Sequence, residues 1–272
     1  MRRVLGQPVI IENVGGGAGS IGANRVARAA GDGYTIVLGN WGVFVANGAV
    51  YTLPYDLVND FDPVAPITNA PYIIVARRSM PADDLKGLIA WLRANPGKAS
   101  AGTTGAGGAT QIGGVLFQNA TGTRFQFVPY RGGAPVIQDL IAGQIDLMVA
   151  STGDALAQVR AGTIKAYAVM ARRRLAVTPD VPTVDEAGSP GTYFSAWSGL
   201  WASARTPRNI IMRLNGAVMD ALADPTVGER LADIGQEIFP RDQQTPQALA
   251  ALQKAEIEKW WPMIKAAGIK AE

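Results

Sequence analysis

The sequence predicts an α/β fold in which helices cross over between the strands of a mainly parallel sheet. Short apolar runs rich in β-branched residues recur along the chain, segments with a helical apolar stripe separate them, and Gly- and Pro-rich turns stand between the two. The 272 residues are 48% hydrophobic and 17% charged, which is enough apolar sequence for one large core or two smaller ones.

The predicted strands are apolar runs that end in turn residues, and the predicted helices follow capping residues or turns. The strands cover, in order, residues 8–13, 34–38, 72–76, 98–102, 125–128, 145–149, 165–170 and 196–202. The helices begin near Ser20, Asp83, Gln111, Ala134 and Asp154, and at the pairs Thr206–Pro207, Asp224–Pro225 and Thr245–Pro246. Ligands of such sheets bind beyond the carboxyl ends of the strands, so the loops that follow strands are the candidate binding elements.

Composition excludes several classes of function. The chain contains no Cys and no His, so disulfides, thiolate nucleophiles, Ser-His-Asp triads, HExxH zinc sites and most transition-metal sites are excluded. The formal charge of +3 is small and no basic run carries interleaved aromatic residues, so we predict no nucleic-acid partner. No apolar run is long enough to span a bilayer, and we predict no metal ion and no cofactor.

One Gly- and Thr-rich loop is the first candidate for ligand binding. In KASAGTTGAGGATQIGGVLF, residues 98–117, a strand ends near Gly102 and a helix begins near Gln111. The loop offers backbone N–H groups and the hydroxyls of Thr103 and Thr104 at the positive end of a helix, where an anion is favoured. The alternative is a βα connection that binds nothing, and this stretch alone does not decide between the two.

A second Gly-rich turn matches the dinucleotide-binding pattern G-x-G-x-x-G. It covers residues 17–22 and lies between a predicted strand and a predicted helix, where such a fingerprint belongs. The fingerprint also requires an acidic residue about 20 positions further on, to hold the ribose. The next strand instead runs into Gly39, Asn40 and Trp41. We therefore expect that NAD and NADP do not bind.

Four stretches resemble the Bug-type solute receptors of tripartite tricarboxylate transporters. They are GQPVIIENVGGGAGSIGANRVARAAGDGYTIVLGN, the loop GTTG, VPYRGGAPVIQDLIAGQIDLMVAS and DVPTVDEAGSPGTYFSAWSGLWASARTP. The resemblance covers nearly the whole chain and implies a two-lobed periplasmic-binding-protein fold of the Venus flytrap type II. It also implies a non-enzymatic periplasmic receptor, a monomer by default, that captures a small organic carboxylate for membrane permease subunits. The family grips the carboxylate with backbone N–H groups, hydroxyls and bridging waters, in agreement with the loop chemistry.

The resemblance also implies a ligand site made of loops that follow strands. Carried over by position, the site residues are Asn40, Trp41, Gly42 and Phe44 after the second strand; Thr103, Thr104, Gly105, Thr110 and Gln111 in the Gly-Thr loop; Tyr130, Arg131, Gly132, Gly133 and Ala134 after the next strand; Ser151 and Asp154 after the following one; and Trp197 in the returning strand. We expect one lobe to comprise residues 1–73 with 196–272, and the other residues 74–195.

Three departures from the family pattern modify these expectations. Phe44 and Gln111 stand where the family often has His, so we expect a less basic and more apolar pocket. Trp41 replaces a small polar residue, which favours a ligand with an apolar or aromatic body. The chain starts inside the helix that precedes the segment GQPV, so we expect it to lack the family's first strand, first Gly-rich loop and signal peptide.

Two alternatives remain open at this point. An enzyme acting on a carboxylate could use the same α/β scaffold, because a fold does not fix a function. It would need a charged acid or base in the cleft, and Asp154 and Arg131 are the charged candidates in the loops named above. A sensor that reports ligand binding to a signalling partner would share the site chemistry of a transport receptor. Permease genes beside this one would distinguish a transport receptor from a sensor.

Overall fold

The computed structural model describes residues 1–105 and 107–270. Ala106, within the predicted Gly-Thr loop, lies outside the described residues. The chain divides into two compact units. Unit 1 comprises Met1–Asn69, Trp197–Leu231 and Glu237–Glu272, and unit 2 comprises Ala70–Ala196 and Ala232–Gln236.

The secondary structure alternates as the sequence predicts. In the described residues the helices are α1 (Arg2–Leu5), α2 (Ser20–Ala27), α3 (Asn47–Val50), α4 (Leu85–Ala94), α5 (Ala109–Thr121), α6 (Gly133–Ala142), α7 (Thr152–Arg160), α8 (Arg208–Leu222), α9 (Pro225–Asp233) and α10 (Pro246–Ala266). The strands are β1 (Ile36–Asn40), β2 (Phe61–Arg77), β3 (Ser100–Thr103), β4 (Gln126–Pro129), β5 (Leu147–Ser151), β6 (Ile164–Val169), β7 (Ser195–Ser203) and β8 (Glu237–Ile238).

The sheet of unit 2 is mixed rather than mainly parallel. Strands β5, β3 and β4 are neighbours in that order, and their parallel direction was predicted. The second half of β2, however, pairs antiparallel with β5 and with β6. The alternation of strands and helices predicts long connections, and a long connection can join antiparallel strands as well as parallel ones. Strand direction was therefore the part of this prediction that the sequence pattern did not determine.

The sequence predicts an inner face of α6 made of Val136, Ile137, Leu140 and Ile141, and the core of unit 2 confirms the first three. Ile141 is 41% exposed, so its inclusion was wrong. Val136, Ile137 and Leu140 are buried against strand residues that include Ile73 and Met148. These helix residues recur at the spacing of one helical face, so burying them fixes the rotation of α6 on the sheet. Gly143 ends the helix in the left-handed conformation, with φ of 76°, as its position after the apolar stripe predicts.

A carboxylate connects three strands of the unit 2 sheet. Asp146 lies immediately before β5 and accepts a hydrogen bond of 2.8 Å from Arg77 Nε in β2. Its other oxygen accepts from the backbone N–H of Ser100 in β3, at 2.8 Å, and from the Ser100 hydroxyl, at 3.1 Å. Because one side chain satisfies donors from two neighbouring strands, it helps to fix the order β2-β5-β3.

Unit 1 contains the antiparallel pair β1 and β7, in which Ile36 lies opposite Ala202. Helix α8 packs its predicted apolar stripe against this unit's sheet through Ile211, Leu214 and Val218. Thr245 caps α10 as predicted, since its side chain accepts a hydrogen bond from the backbone N–H of Ala248.

The predicted strand at residues 8–13 is wrong. The segment forms no strand, and its apolar side chains are exposed, Ile10 by 80% and Ile11 by 83%. Within the described residues β1 has β7 on one side and no strand on the other, so the segment lies beside no partner in a ladder. An apolar β-branched run becomes a strand only where a neighbouring strand and a core accept it.

Residues 41–47 are helical, where we predicted a loop over residues 40–47. Residues 42–46 form a single π-helical turn, and α3 continues directly from it. Asn40 begins this turn, because its side-chain oxygen accepts a hydrogen bond of 3.1 Å from the backbone N–H of Val43. The helical turn directs Phe44 into the core of unit 1, where it is fully buried.

Candidate functional site

Three strand ends of unit 2 meet at one edge of its sheet. Strands β3, β4 and β5 are parallel neighbours, so their carboxyl ends point the same way. Each is followed by a helix, α5, α6 and α7 respectively, whose N-terminus therefore lies at the same edge. This arrangement brings the predicted site residues of unit 2 together, in the place where ligands of open α/β sheets bind.

The loop between β3 and α5 is held by its own side chains. The backbone N–H of Thr104 donates to Thr110 Oγ1 at 2.9 Å, and that of Gly107 donates to Gln111 Oε1 at 2.6 Å. The Thr104 and Thr110 hydroxyls are also hydrogen-bonded, at 3.2 Å. We expected unpaired N–H groups that would face an anion, and for these two groups the structure corrects that expectation. Thr110 and Gln111 thus shape the loop instead of adding free donors.

Thr110 is a positioning residue for this loop, and it is 3% exposed. We predict that Thr110→Val lowers the free energy of unfolding by about 1–3 kcal/mol, because the new side chain has a similar shape but leaves the N–H of Thr104 unpaired. Urea denaturation measures the change. Thr226→Val at an exposed position is the control and should change stability by less than about 0.5 kcal/mol. Equal effects of both substitutions would contradict this role for Thr110.

The loop between β4 and α6 contributes open backbone. Gly132 precedes α6 with φ of 104°, and no described atom lies within 4 Å of the place that a Cβ would take. A side chain is therefore disfavoured there by conformation, although there is space for a ligand. The flanking Arg131 and Ala134 are exposed.

Tyr130, in the same loop, is already engaged within the unit. Its hydroxyl donates to Asp139 Oδ2 at 2.7 Å. Burial, together with this hydrogen bond and the Asp139 charge, raises the pKa of Tyr130 to about 12, so the phenol is protonated at neutral pH. Its hydrogen is committed to Asp139, which leaves the ring and the oxygen lone pairs for contact with a ligand.

The first turn of α7, which follows β5 directly, places a carboxylate at the start of α6. Ser151 caps α7 by accepting from the backbone N–H of Asp154, and its hydroxyl donates to Asp154 Oδ2 at 2.7 Å. A Cβ at Gly133 would lie only 2.2 Å from Asp154 Oδ1, so this carboxylate lies directly against the first residue of α6. A negative charge is favoured there by the helix dipole, typically by about 0.3–1 kcal/mol. The sequence placed Asp154 at the site but did not predict this contact.

Tyr72 of β2 is a site residue that the sequence reasoning missed. It lies opposite Ser151 in the β2–β5 ladder, is 7% exposed, and packs edge-on against Phe194 with ring centroids 4.9 Å apart. Burial, followed by the negative charge of Asp154, raises the pKa of its hydroxyl. In the sequence it is one aromatic residue in an apolar strand, a pattern typical of core, so no local signal marked it.

The predicted site residues of unit 1 are mostly buried in its core. Trp41 and Phe44 have no exposed surface. Trp41 Nε1 donates to Glu256 Oε2 at 2.9 Å, and the Phe44 ring stacks on Trp201 at 3.7 Å between centroids. The structure corrects the expectation that these two side chains face a ligand. Because Trp41 is enclosed in this way, it gives no argument for an aromatic ligand.

The remaining predicted residues of unit 1 have different surroundings. Asn40 is exposed, and its side chain holds the π-helical turn that contains Gly42. Trp197 is 2% exposed, and its Nε1 makes no hydrogen bond with any described residue. A buried indole N–H normally has a partner, so Trp197 is a unit 1 side chain with an unused donor, as is the buried Tyr55 with its hydroxyl.

The edge of unit 2 offers binding groups and lacks an assembled catalytic set. The side chains brought together there are hydroxyls, an amide, one exposed guanidinium and one carboxylate. No group of three or more acidic side chains in the described residues is placed to hold a metal ion. Across those same residues, no helix combines the length and the apolar character that a membrane crossing requires.

Comparison with known proteins supports a receptor. Residues 1–269 match the family described as "Tripartite tricarboxylate transporter family receptor". MatC from Rhodopseudomonas palustris, solved with bound malate, is 36% identical over 97% of this chain and 90% of its own, with a TM-score of 0.85. The periplasmic binding protein BugD is 35% identical over 99% and 90% of the two chains, with a TM-score of 0.85.

A further solved structure, Rpa4515 of R. palustris with adipate, is 32% identical over 99% of this chain and 90% of its own, with a TM-score of 0.88. These similarities confirm the predicted α/β periplasmic-binding-protein fold. The family consists of solute-binding receptors and not of enzymes. This chain belongs to the tripartite tricarboxylate transporter receptor family.

Proposed function

We propose that this protein captures a small organic carboxylate in the periplasm and presents it to the permease subunits of a tripartite tricarboxylate transporter. The observation that carries the proposal is the convergence of β3, β4 and β5 on one edge of unit 2, with the N-termini of α5, α6 and α7 behind it. Helix N-termini favour negatively charged groups. Homologues solved with malate and with adipate support the same class of ligand.

The ligand carboxylate is proposed to bind beside Thr104, Gly105 and Gly132. Gly105 and Gly132 both have positive φ, and at both positions the place of a Cβ is open. An anion can therefore approach the backbone closely there, and the Thr104 hydroxyl lies in the first of these loops. Water can bridge the remaining distance, because polar contacts in such sites are often water-mediated.

A thermal-shift screen tests the proposal. We predict that at least one small mono- or dicarboxylate raises the melting temperature by about 5–10 °C at 100 times its dissociation constant, since a ligand that binds only the native state adds about 2.7 kcal/mol there. The matched control is the methyl ester of the same acid, which keeps the size and removes the charge. Failure of every carboxylate at millimolar concentration, or an equal response to acid and ester, would contradict the proposed function.

A further inference from the structure

A groove on unit 2, here called the α4 groove, lies away from the candidate site. Its volume is about 520 Å³, and it is bounded by α4, by residues 120–121 at the end of α5 and by residues 188–190. The first turn of α5 stands at the candidate site, so the length of that helix, about 18 Å, separates the two places. The α4 groove is therefore not an extension of the candidate site.

Two cations of α4 line this groove. Lys86 and Arg93 are both exposed, and about two helical turns, or about 10 Å, separate their positions along the helix. The carbon chain of Lys86 lies along Gly188, because a Cβ added there would be 2.7 Å from the lysine Cε. Arg93 Nε donates to the carbonyl oxygen of Thr121 at 2.8 Å. Both side chains are thus held at the groove.

The positive charge of the α4 groove is not balanced within the described residues. No ion pair joins either cation to a carboxylate of the described chain. Three acidic side chains on the segments that form the groove have other partners. Asp84 caps α4, Asp185 accepts a hydrogen bond of 2.7 Å from the hydroxyl of Tyr193, and Glu186 pairs with Arg174 at 2.9 Å.

The surface between the two cations is apolar. Ile89, Ala120 and Pro190 line it, and Ile89 lies one turn from Lys86 on the same face of α4. The hydroxyl of Ser189 is already bonded to another hydroxyl, at 2.8 Å. The α4 groove therefore presents a hydrocarbon floor between two positive charges.

A matching occupant has two negative charges about 10 Å apart with an apolar group between them. A small molecule is disfavoured, because ligand sites enclose most of a small ligand and both cations here are exposed. A segment of a protein surface needs no such enclosure, since the rest of the interface adds contacts. In an extended segment, which rises about 3.3 Å per residue, acidic residues three positions apart have the required spacing.

We propose that the α4 groove is a docking surface for an acidic segment of a partner protein. Two carboxylates of that segment pair with Lys86 and Arg93, and an apolar side chain between them contacts Ile89. A receptor that passes its ligand to permease subunits must dock on them, so the inference rests on the proposed function for the identity of the partner. Complementary charges of this kind steer association and favour one partner over others.

An NMR titration of the ¹⁵N-labelled protein with short peptides tests the inference. The probes are the acetylated peptide amides Glu-Ala-Leu-Glu and Gln-Ala-Leu-Gln, which differ in two charges and are otherwise closely similar. We expect the acidic peptide to shift the amide signals of α4 and of residues 188–190. It should bind about fivefold or more tighter than the neutral peptide, the scale of two exposed ion pairs. Added salt should weaken this binding, because it screens exposed charges.

Variants assign the preference to the two cations. Lys86→Glu reverses one charge, leaves the bond between Arg93 and α5 in place, and should remove the preference for the acidic peptide. Lys86→Gln combined with Arg93→Gln should remove it as well. Arg208→Gln combined with Lys254→Gln is the control, because it removes the same two charges from exposed positions of unit 1 and should leave the preference unchanged. Every variant should bind the best carboxylate from the screen with wild-type affinity.

The outcomes separate this inference from the proposed function. Equal binding of the two peptides, no binding of either at millimolar concentration, or a preference that survives Lys86→Glu overturns the inference and leaves carboxylate capture intact. Shifts confined to the loops of the candidate site overturn it too, since the peptide then acts as an ordinary carboxylate ligand. A carboxylate screen without a hit contradicts the proposed function alone, and the peptide preference at the α4 groove still decides the inference.

Discussion

Gly133→Val should abolish carboxylate binding, with a loss of affinity of about a hundredfold or more. The first carbon of the new side chain would lie 2.2 Å from Asp154 Oδ1 and 2.5 Å from its Cγ, so the carboxylate must leave its place at the start of α6. The two methyl groups of valine would also fill the space in front of the helix N-terminus, where the ligand anion is proposed to bind. Isothermal titration with the best carboxylate from the screen measures the loss.

The stability of the same variant should fall only modestly, by about 1–3 kcal/mol, as is typical of overpacking. Asp154 ends in a rotatable side chain, so part of the clash can be relieved by its movement. Gly216→Val, in α8 of unit 1, is the matched control, because no described atom outside the local helix backbone lies within 4 Å of the added Cβ. It should bind ligand as the wild type does.

A double-mutant cycle with Asp154 separates the cause of the lost stability in Gly133→Val from the cause of the lost binding. In the Asp154→Ala background, Gly133→Val should cost less stability than in the wild type, because the atoms with which it clashes are gone. Carboxylate binding should still be absent, since valine continues to occupy the ligand space. Wild-type affinity in Gly133→Val alone would mean that the anion binds away from α6 and that this site is assigned wrongly.

The alternation of strands and helices in unit 2 was predictable because it depends on local patterns. The stripe of α6 and its stop at Gly143 follow from helical periodicity and from the conformational freedom of glycine. The antiparallel direction of β2 was not predictable, because no short-range pattern in residues 61–77 records which way the neighbouring strand runs. The strand predicted at residues 8–13 was wrong for the same reason, since strand formation depends on a distant partner.

The contacts within the candidate site were also only partly predictable from the sequence. The position of Asp154 after β5 was readable, but its contact with Gly133 joins residues 21 positions apart through the packing of two helices. The donors of Thr104 and Gly107 were expected to be free, and their capping by Thr110 and Gln111 was not recognised. Side chains of this kind compete with ligands for backbone N–H groups, and sequence alone does not show which one prevails.

Phe44→Ala should lower the free energy of unfolding by about 3–5 kcal/mol, the usual cost of emptying a buried aromatic site. Phe44 is 0% exposed, stacks on Trp201 with an angle of 3° between the rings, and meets Phe61 edge-on at 5.0 Å. Its removal leaves a cavity between two large rings that cannot easily collapse. For a chain of this size the melting temperature should fall by about 6–20 °C.

The same variant also tests whether Phe44 contacts the ligand. Because its ring is enclosed by Trp201 and Phe61, carboxylate affinity measured well below the melting temperature should stay within about threefold of the wild type. Leu38→Ala, on β1 and 66% exposed, is the control for a nearby apolar side chain and should change stability by less than about 0.5 kcal/mol. A loss of affinity of tenfold or more in Phe44→Ala, with the folded fraction unchanged, would return Phe44 to the ligand site and contradict its assignment to the core.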